Sequence, residues 1–250
     1  MFEAWTEKTV PFFSHPSGVG MYGSHQDAAH TQSEVDFVSR YVSQRSTVWD
    51  TCCGHGRHVL ELAHRGIQTV GTDVDETLIS YGNAALEEAG LRSVGELRHD
   101  DAKTAIVRCD LAMCLNTSIG YDGPAADRRT FRNIYQNLSP GGLFVVHVDN
   151  RDCALPRIED ATWYSTDQQL TIEERAYDAL LNRLTVRHLR IRRDGTTCRS
   201  ETSVYLYTFA ELAHLVQEAG FIIADIYGSY DGGRFAISGT DIIVVGRKPE

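Results

Sequence analysis

Hydrophobic and polar positions follow two rhythms along this chain, and the change between them falls near residue 150. Before it, short apolar runs alternate with stretches of helical period. Ser46 to Cys53, Gln68 to Val74, Gly95 to Ala102, Cys109 to Leu115 and Leu143 to Val148 read as strands. Thr31-Gln-Ser-Glu34 has the form of a capping box, and Val35, Phe37, Val38, Tyr41 and Val42 follow it at roughly helical spacing. Arg57 to Arg65 reads as a helix closed by Gly66. Asp75 can cap a helix carrying Leu78, Ile79, Ala85 and Leu86, closed by Gly90. Arg128 to Leu138 places Phe131, Ile134, Tyr135 and Leu138 on one helical face, and Ser139-Pro-Gly-Gly142 predicts a turn into the next strand. Such alternation predicts a parallel sheet covered on both faces.

After residue 150 the period shortens. Leu170 to Ala176, Arg183 to Arg192 and Thr197 to Tyr207 read as strands, the last two joined by Asp194-Gly195, a strong hairpin signal. These predict an antiparallel insertion. Thr208-Phe-Ala-Glu211 is a second capping box, followed by Leu212, Leu215, Val216 and Ala219 on one helical face and by Gly220 as a stop. Phe221 to Tyr227 and Asp241 to Val245 close the sheet. The expected organisation is a core over residues 34–150 and 208–250, an antiparallel insertion over 151–207 that caps a substrate, and a lid-like segment over 1–33, too aromatic for a solvated tail.

Composition narrows the function. The chain has 250 residues, 42% hydrophobic and 23% charged, which suits a soluble globule with a real core. The net charge of −10 argues against a nucleic-acid binder, which usually presents a basic face. No apolar run approaches the roughly 20 residues of a membrane span, and Met1 to Val10 lacks the features of a secretory signal. Six cysteines without a CxxC pair predict reduced thiols in a cytoplasmic protein rather than a disulfide framework or zinc knuckle. No third ligand accompanies His55 and His58, so no metal is expected.

The informative stretch is Val48-Trp-Asp50-Thr-Cys-Cys-Gly54-His-Gly56-Arg-His58. A buried strand ends in an acid, turns through two glycines and starts a helix whose free N–H groups can face a ligand. The next strand ends at Asp73, where an acid can accept hydrogen bonds from vicinal ribose hydroxyls. A dinucleotide site wants a third small residue where this chain has Val59. A carboxylate at Asp50 would repel a pyrophosphate and attract an ammonium group. These residues suggest a nucleoside joined to an amino acid.

At this point the chain resembles the class I S-adenosylmethionine-dependent methyltransferases. Asp50-x-x-x-Gly54-x-Gly56 is similar to their first motif, Gly71-Thr-Asp73 to the ribose-binding strand end, and His99-Asp-Asp101-Ala102 to the adenine-binding segment. Cys114 to Tyr121 resembles the loop beside the transferred methyl group, and Leu138 to Val146 the turn into the fifth strand. A finer resemblance, carried by Cys52-Cys-Gly-His-Gly-Arg-His58 and Asn150-Arg151, is to bacterial small-molecule enzymes with an insertion after the fifth strand, several of which methylate amino sugars or antibiotic intermediates.

The resemblance implies an α/β fold, a Rossmann-like, doubly wound, seven-stranded and mostly parallel sheet with an antiparallel β insertion between the fifth strand and the last helix. It implies S-adenosyl-L-methionine as cofactor, S-adenosyl-L-homocysteine as product, and in-line methyl transfer to a small metabolite, with an amine nitrogen as the favoured acceptor and a hydroxyl or carboxylate as the alternative. An NAD-dependent oxidoreductase and a non-catalytic cofactor-binding protein are the competing classes. Cofactor contacts are expected from Asp50, Cys52, Gly54, Gly56, His58, Asp73, Val74, Asp101, Ala102, Leu115 and Asn116. The acceptor is expected among Tyr22, His25, Tyr121, His147, Asn150 and Arg151, with His147 and Tyr22 as the catalytic candidates. The partner expected is a small-molecule methyl acceptor, with no nucleic acid and no membrane; self-association is left open.

Overall fold

Leu143 to Val148 is buried at every position because it runs through the middle of a sheet covered on both faces. The computed structural model describes residues 28–167 and 169–250. Its strands are, in chain order, β1 (Thr47–Asp50), β2 (Gln68–Asp73), β3 (Gly95–His99), β4 (Cys109–Cys114), β5 (Leu138–Asp149), β6 (Ala161–Ser165), β7 (Gln169–Asp178), β8 (Arg183–Arg192), β9 (Thr197–Tyr205), β10 (Ile222–Tyr227) and β11 (Asp241–Arg247). The helices are α1 (Ala28–Ser39), α2 (Arg57–His64), α3 (Glu76–Glu88), α4 (Pro124–Asn137), the single turn α5 (Arg151–Ala154) and α6 (Phe209–Glu218).

The central sheet has seven strands in the order β10-β11-β5-β4-β1-β2-β3. Only β11 runs against its neighbours, pairing antiparallel with both β5 and β10. Alternate residues of each strand feed opposite layers. Phe144, Val146 and Val148 join Trp49, Phe131, Leu212 and Phe221 under α4 and α6. Leu143 and Val145 join Leu111, Met113, Phe37 and Val38 under α1 and α2. A smaller cluster of Val59, Ile79, Leu86 and Leu97 seals α2 and α3 against β3. The strand order reverses between β1 and β4, so the carboxyl ends of these two strands open a crevice, the place where ligands bind in open α/β sheets.

The insertion is a separate antiparallel sheet in the order β6-β7-β8-β9. It has one strand more than the periodicity predicts. Ala161–Ser165 is a five-residue edge strand with no buried residue, and the brief alternation of Ala161 and Trp163 is too short to mark it. Helix starts divide in the same way. Asp75 caps α3 through Thr77 and Leu78, and Thr208 with Glu211 forms a complete capping box on α6. The box expected at Thr31 is not a start, because the chain is already helical at Ala28. Its acid, Glu34, faces inward and binds Arg57 and His58. Ser139 to Gly142 is a bulge inside β5 rather than a separate turn, since Leu138 pairs with Cys109 before the register resumes at Leu143.

Candidate active site

A cleft of about 560 Å³ opens at the carboxyl ends of β1, β2 and β4. The first loop is built by backbone geometry. Gly54 adopts φ +55, and a Cβ there would meet nothing within 4 Å, so this backbone faces open space. Gly56 adopts φ +79, and its Cβ would stand 2.6 Å from Leu97 Cδ1. Gly56 is thus required for the turn and for packing on β3; it is not part of the cleft wall, although the motif groups it with the ligand contacts.

Three acids hold this loop. Asp73 accepts from Gly54 N–H at 2.8 Å through one oxygen and from Asp75 N–H at 3.0 Å through the other. Burial pushes its carboxyl up; the N–H bonds from Asp75 and Gly54 work against this, the nearby Asp75 and Asp50 charges add to it, and the net shift is upward. Each oxygen keeps a further lone pair for a ligand. Asp50 is 2% exposed, and its Oδ2 has no well-formed hydrogen bond; His58 Nδ1 stands 3.4 Å away. A buried carboxylate oxygen left this way costs free energy until a donor arrives. Glu34 lies beneath, fully buried, with His58 Nε2 at 2.8 Å and Arg57 Nη1 in direct contact. Burial would raise the Glu34 carboxyl, but His58 and Arg57 outweigh it and hold it far below the usual range. Burial depresses the His58 imidazolium, but Asp50 and Glu34 override it, so the net shift is upward.

The far wall comes from other loops. Lys103 Nζ lies 3.2 Å from Asp101 Oδ2 and 2.7 Å from Asp122 Oδ2, tying the loop after β3 to the loop after β4. Tyr121 lines the cleft, with its phenol pushed up to about 12 by burial and by Asp149. Glu201, Thr202 and Ser203 of β9 complete the enclosure, so the insertion forms part of the wall. The Cys52 thiol is pushed up by its hydrogen bond to Cys114 and by burial, and Cys53 by burial, so both stay protonated near neutral pH and are poor nucleophiles.

The cleft therefore gathers Asp50, Cys52, Gly54, His58, Asp73 and Val74 with Asp101, Ala102, Leu115, Asn116 and Tyr121. His147, Asn150 and Arg151 are not on its wall. Asn150 caps α5, accepting from Asp152 N–H at 3.1 Å, and donates to the carbonyls of Ile237 and Gly239. Arg151 lies along Asp152 and Glu211. Tyr22 and His25 lie outside the described residues. Sequence reasoning missed Lys103, Glu201, Thr202 and Ser203. A period of two marks the faces of β9 but not the loop it packs against.

His147 is buried, and its ring is fully engaged. Asn116 N–H donates to Nδ1 at 3.1 Å, the Tyr230 hydroxyl lies 2.8 Å from the same nitrogen, and Nε2 lies 3.0 Å from Asp241 Oδ1. With Asp149, these donors form, among the described residues, the one His/Asp group close enough to hold a metal. The Asn116 N–H requires a lone pair on Nδ1, so the proton sits on Nε2 and points at Asp241, leaving no imidazole lone pair for a metal.

Residues 48–142 match the family model of a methyltransferase domain. The match runs from β1 to the start of β5, and the fold is that of S-adenosylmethionine-dependent methyltransferases of known structure, such as one from Clostridium acetobutylicum, which superposes with a TM-score of 0.82 at 15% identity, covering 93% of this chain and 99% of that one. The carboxy-S-adenosyl-L-methionine synthase of Shewanella pealeana is 26% identical over 115 residues, which is 44% of this chain and 47% of that protein. The match thus spans about half the length of that relative. The CcbJ methyltransferase of Streptomyces caelestis superposes with a TM-score of 0.85 at 17% identity, covering 96% of this chain and 99% of that one. The sugar N-methyltransferase KedS8 of Streptoalloteichus superposes at 0.72 and 15% identity, covering 100% and 99%. Both likenesses span the methyltransferase domain and the insertion, so the whole architecture is shared. Among the described residues no helix is long and apolar enough to cross a membrane.

Proposed function

We propose that this protein transfers a methyl group from S-adenosyl-L-methionine to an amine nitrogen of a small metabolite of the sugar or natural-product type. The observation that carries this reading is Asp50 Oδ2, a buried carboxylate oxygen on the cleft wall with no well-formed hydrogen bond. It suits an ammonium group and opposes a pyrophosphate. Asp73 would hold the ribose through the lone pairs that Gly54 and Asp75 leave free. Gly54 presents bare backbone to the cleft, and Asp101 with Ala102, on the same wall, would face the adenine. The cofactor brings a methyl group already activated on a sulfonium.

The chain's own residues then bind, align and exclude water. Leu115 and Asn116 close the floor at the end of β4, and Thr202 and Ser203 close the insertion side. An amine acceptor needs only to arrive neutral, so no dedicated base is required. Asp101, Asp122 and Glu201 outnumber the two cations paired with them, Lys103 and Arg187, so the rim keeps a small acidic excess that favours a cationic amine. The likeness to a sugar N-methyltransferase supports the same choice.

The test is calorimetry with S-adenosylhomocysteine, followed by labelled S-adenosylmethionine with matched amino and hydroxy sugars. Binding of the homocysteine product and label on the amino sugars alone is expected. Label confined to the hydroxy sugars would remove the amine assignment. Failure to bind S-adenosylhomocysteine, with NAD bound instead, would remove the whole reading.

A further inference from the structure

Asn116 and Thr117 are adjacent non-glycine residues in the left-handed region, with φ +57 and +53. Each such residue is strained and persists only where its surroundings over-determine it. They follow the end of β4, and Asn116 lines the cleft. The clamp comes from the end of β5. His147 Nδ1 accepts from Asn116 N–H at 3.1 Å, the His147 carbonyl accepts from Thr117 N–H at 3.1 Å, and Thr117 Oγ1 accepts from Asp149 N–H at 2.8 Å. Asp241, directly across the β5–β11 ladder from Asp149, accepts a hydrogen bond from His147 Nε2–H at 3.0 Å. The Tyr230 hydroxyl lies 2.8 Å from the same Nδ1 and shares its lone pair with Asn116 N–H, and its ring packs edge-on, with centroids 5.1 Å apart.

We propose that His147 is a positioning residue, which holds the Asn116–Thr117 turn at the cleft through its Nδ1 lone pair while Asp241 fixes the tautomer that supplies it. A general base would need its lone pair to face the acceptor, whereas the one lone pair here, on Nδ1, already accepts from Asn116 N–H, and His147 is not on the cleft wall. The functional weight of the turn rests on the methyltransferase reading above; the clamp itself does not.

Two substitutions separate the nitrogens. Asparagine places an acceptor oxygen near the Nδ1 position, whereas glutamine reaches the Nε2 position. Amide exchange at Asn116 and Thr117, global stability in urea, and affinity for S-adenosylhomocysteine are measured in wild type, His147→Asn, His147→Gln and His147→Ala. The Ala and Gln variants are expected to speed exchange at these two amides about tenfold, the loss of roughly one hydrogen bond, beyond any change in global stability. They are expected to weaken product binding by about the same factor. His147→Asn is expected to stay within about threefold of wild type in both, less than one such bond.

Restoration by Gln and not Asn, or unchanged exchange in His147→Ala, would overturn the assignment. If wild type does not bind S-adenosylhomocysteine, the methyltransferase reading fails, and exchange at Asn116 and Thr117 still decides the clamp.

Discussion

Replacing Glu34 by Gln tests the charge network beneath the cofactor loop. Glu34 is fully buried, while the side chains of its partners Arg57 and His58 are 12% and 7% exposed. Removing one member of a buried ion pair costs about 3–5 kcal/mol, because the opposite charge is left without compensation. Two features place this case at the low end. Asp50 still faces His58 at 3.4 Å, and Arg57 keeps some access to water. The expected loss is about 3 kcal/mol. For a chain of this size that lowers Tm by roughly 6–12 °C.

The pH dependence has a definite sign. Glu34 is shifted down from 4.5, so its contribution is present above that value and fades as pH falls toward the folded value. His58 is shifted up from 6.5, so its contribution is complete below that value and is lost as pH rises through the folded one. The gap between wild type and Glu34→Gln should therefore be widest between about pH 5 and 6.5 and should narrow in more alkaline buffer. Thermal melts from pH 5 to 9 read it directly. A gap below about 1 kcal/mol, or one that does not change with pH, would show that the pairing is not what stabilises this loop.

Three further outcomes are expected. Asp73→Asn should weaken S-adenosylhomocysteine binding by about 1.5–3 kcal/mol, the value of a hydrogen bond to a charged group, and calorimetry would show a 10- to 150-fold rise in Kd. Gly56→Ala should cost about 2–4 kcal/mol in urea titrations, from the left-handed backbone and the overlap with Leu97; a stable variant would contradict the geometry of this turn. Thr208→Ala should cost about 1 kcal/mol by removing the side-chain half of the α6 capping box, the Oγ1 that accepts from Glu211 N–H, while the backbone N–H at 208 still donates to Glu211; a lower urea midpoint with an unchanged m-value would show it.

The seven-stranded sheet was legible because its inner strands β1, β4, β5 and β11 are largely buried apolar runs and its helices are punctuated by Asp75, Gly66, Gly90, Thr208 and Gly220. These signals are local, and the structure uses them locally. The β1–β2 half of the cleft was legible for the same reason, since the order Asp50, Gly54, Asp73 encodes one continuous turn. The remainder depends on contacts between distant segments. Glu34 has the pattern of a cap residue, and only the approach of α2 turns it into the buried partner of His58. His147 lies at a strand end where ligands bind, but Asn116 and Asp241 occupy its nitrogens from 31 and 94 residues away. Thr202 and Ser203 reach the cleft because β9 meets Gly120, a tertiary event with no signature in the strand itself.

That seam bears on how a ligand enters. Tyr205 N–H donates to the Gly120 carbonyl at 2.9 Å, and Arg183 Nη2 donates to the Tyr121 carbonyl at 2.7 Å. A Cβ on Gly120 would lie 2.5 Å from the Tyr205 carbonyl, so the two backbones touch. Parting them would sacrifice one backbone and one charge-assisted hydrogen bond, together about 2–4 kcal/mol. The parted state would then hold only a few per cent of molecules or fewer. At this seam the insertion is a fixed jamb rather than a door, and traffic into the cleft has to pass elsewhere. Ser203 helps to hold Arg183 at this seam, so on the proposed reading Thr202 is the wall position of β9 where acceptor preference can change while the seam stays closed.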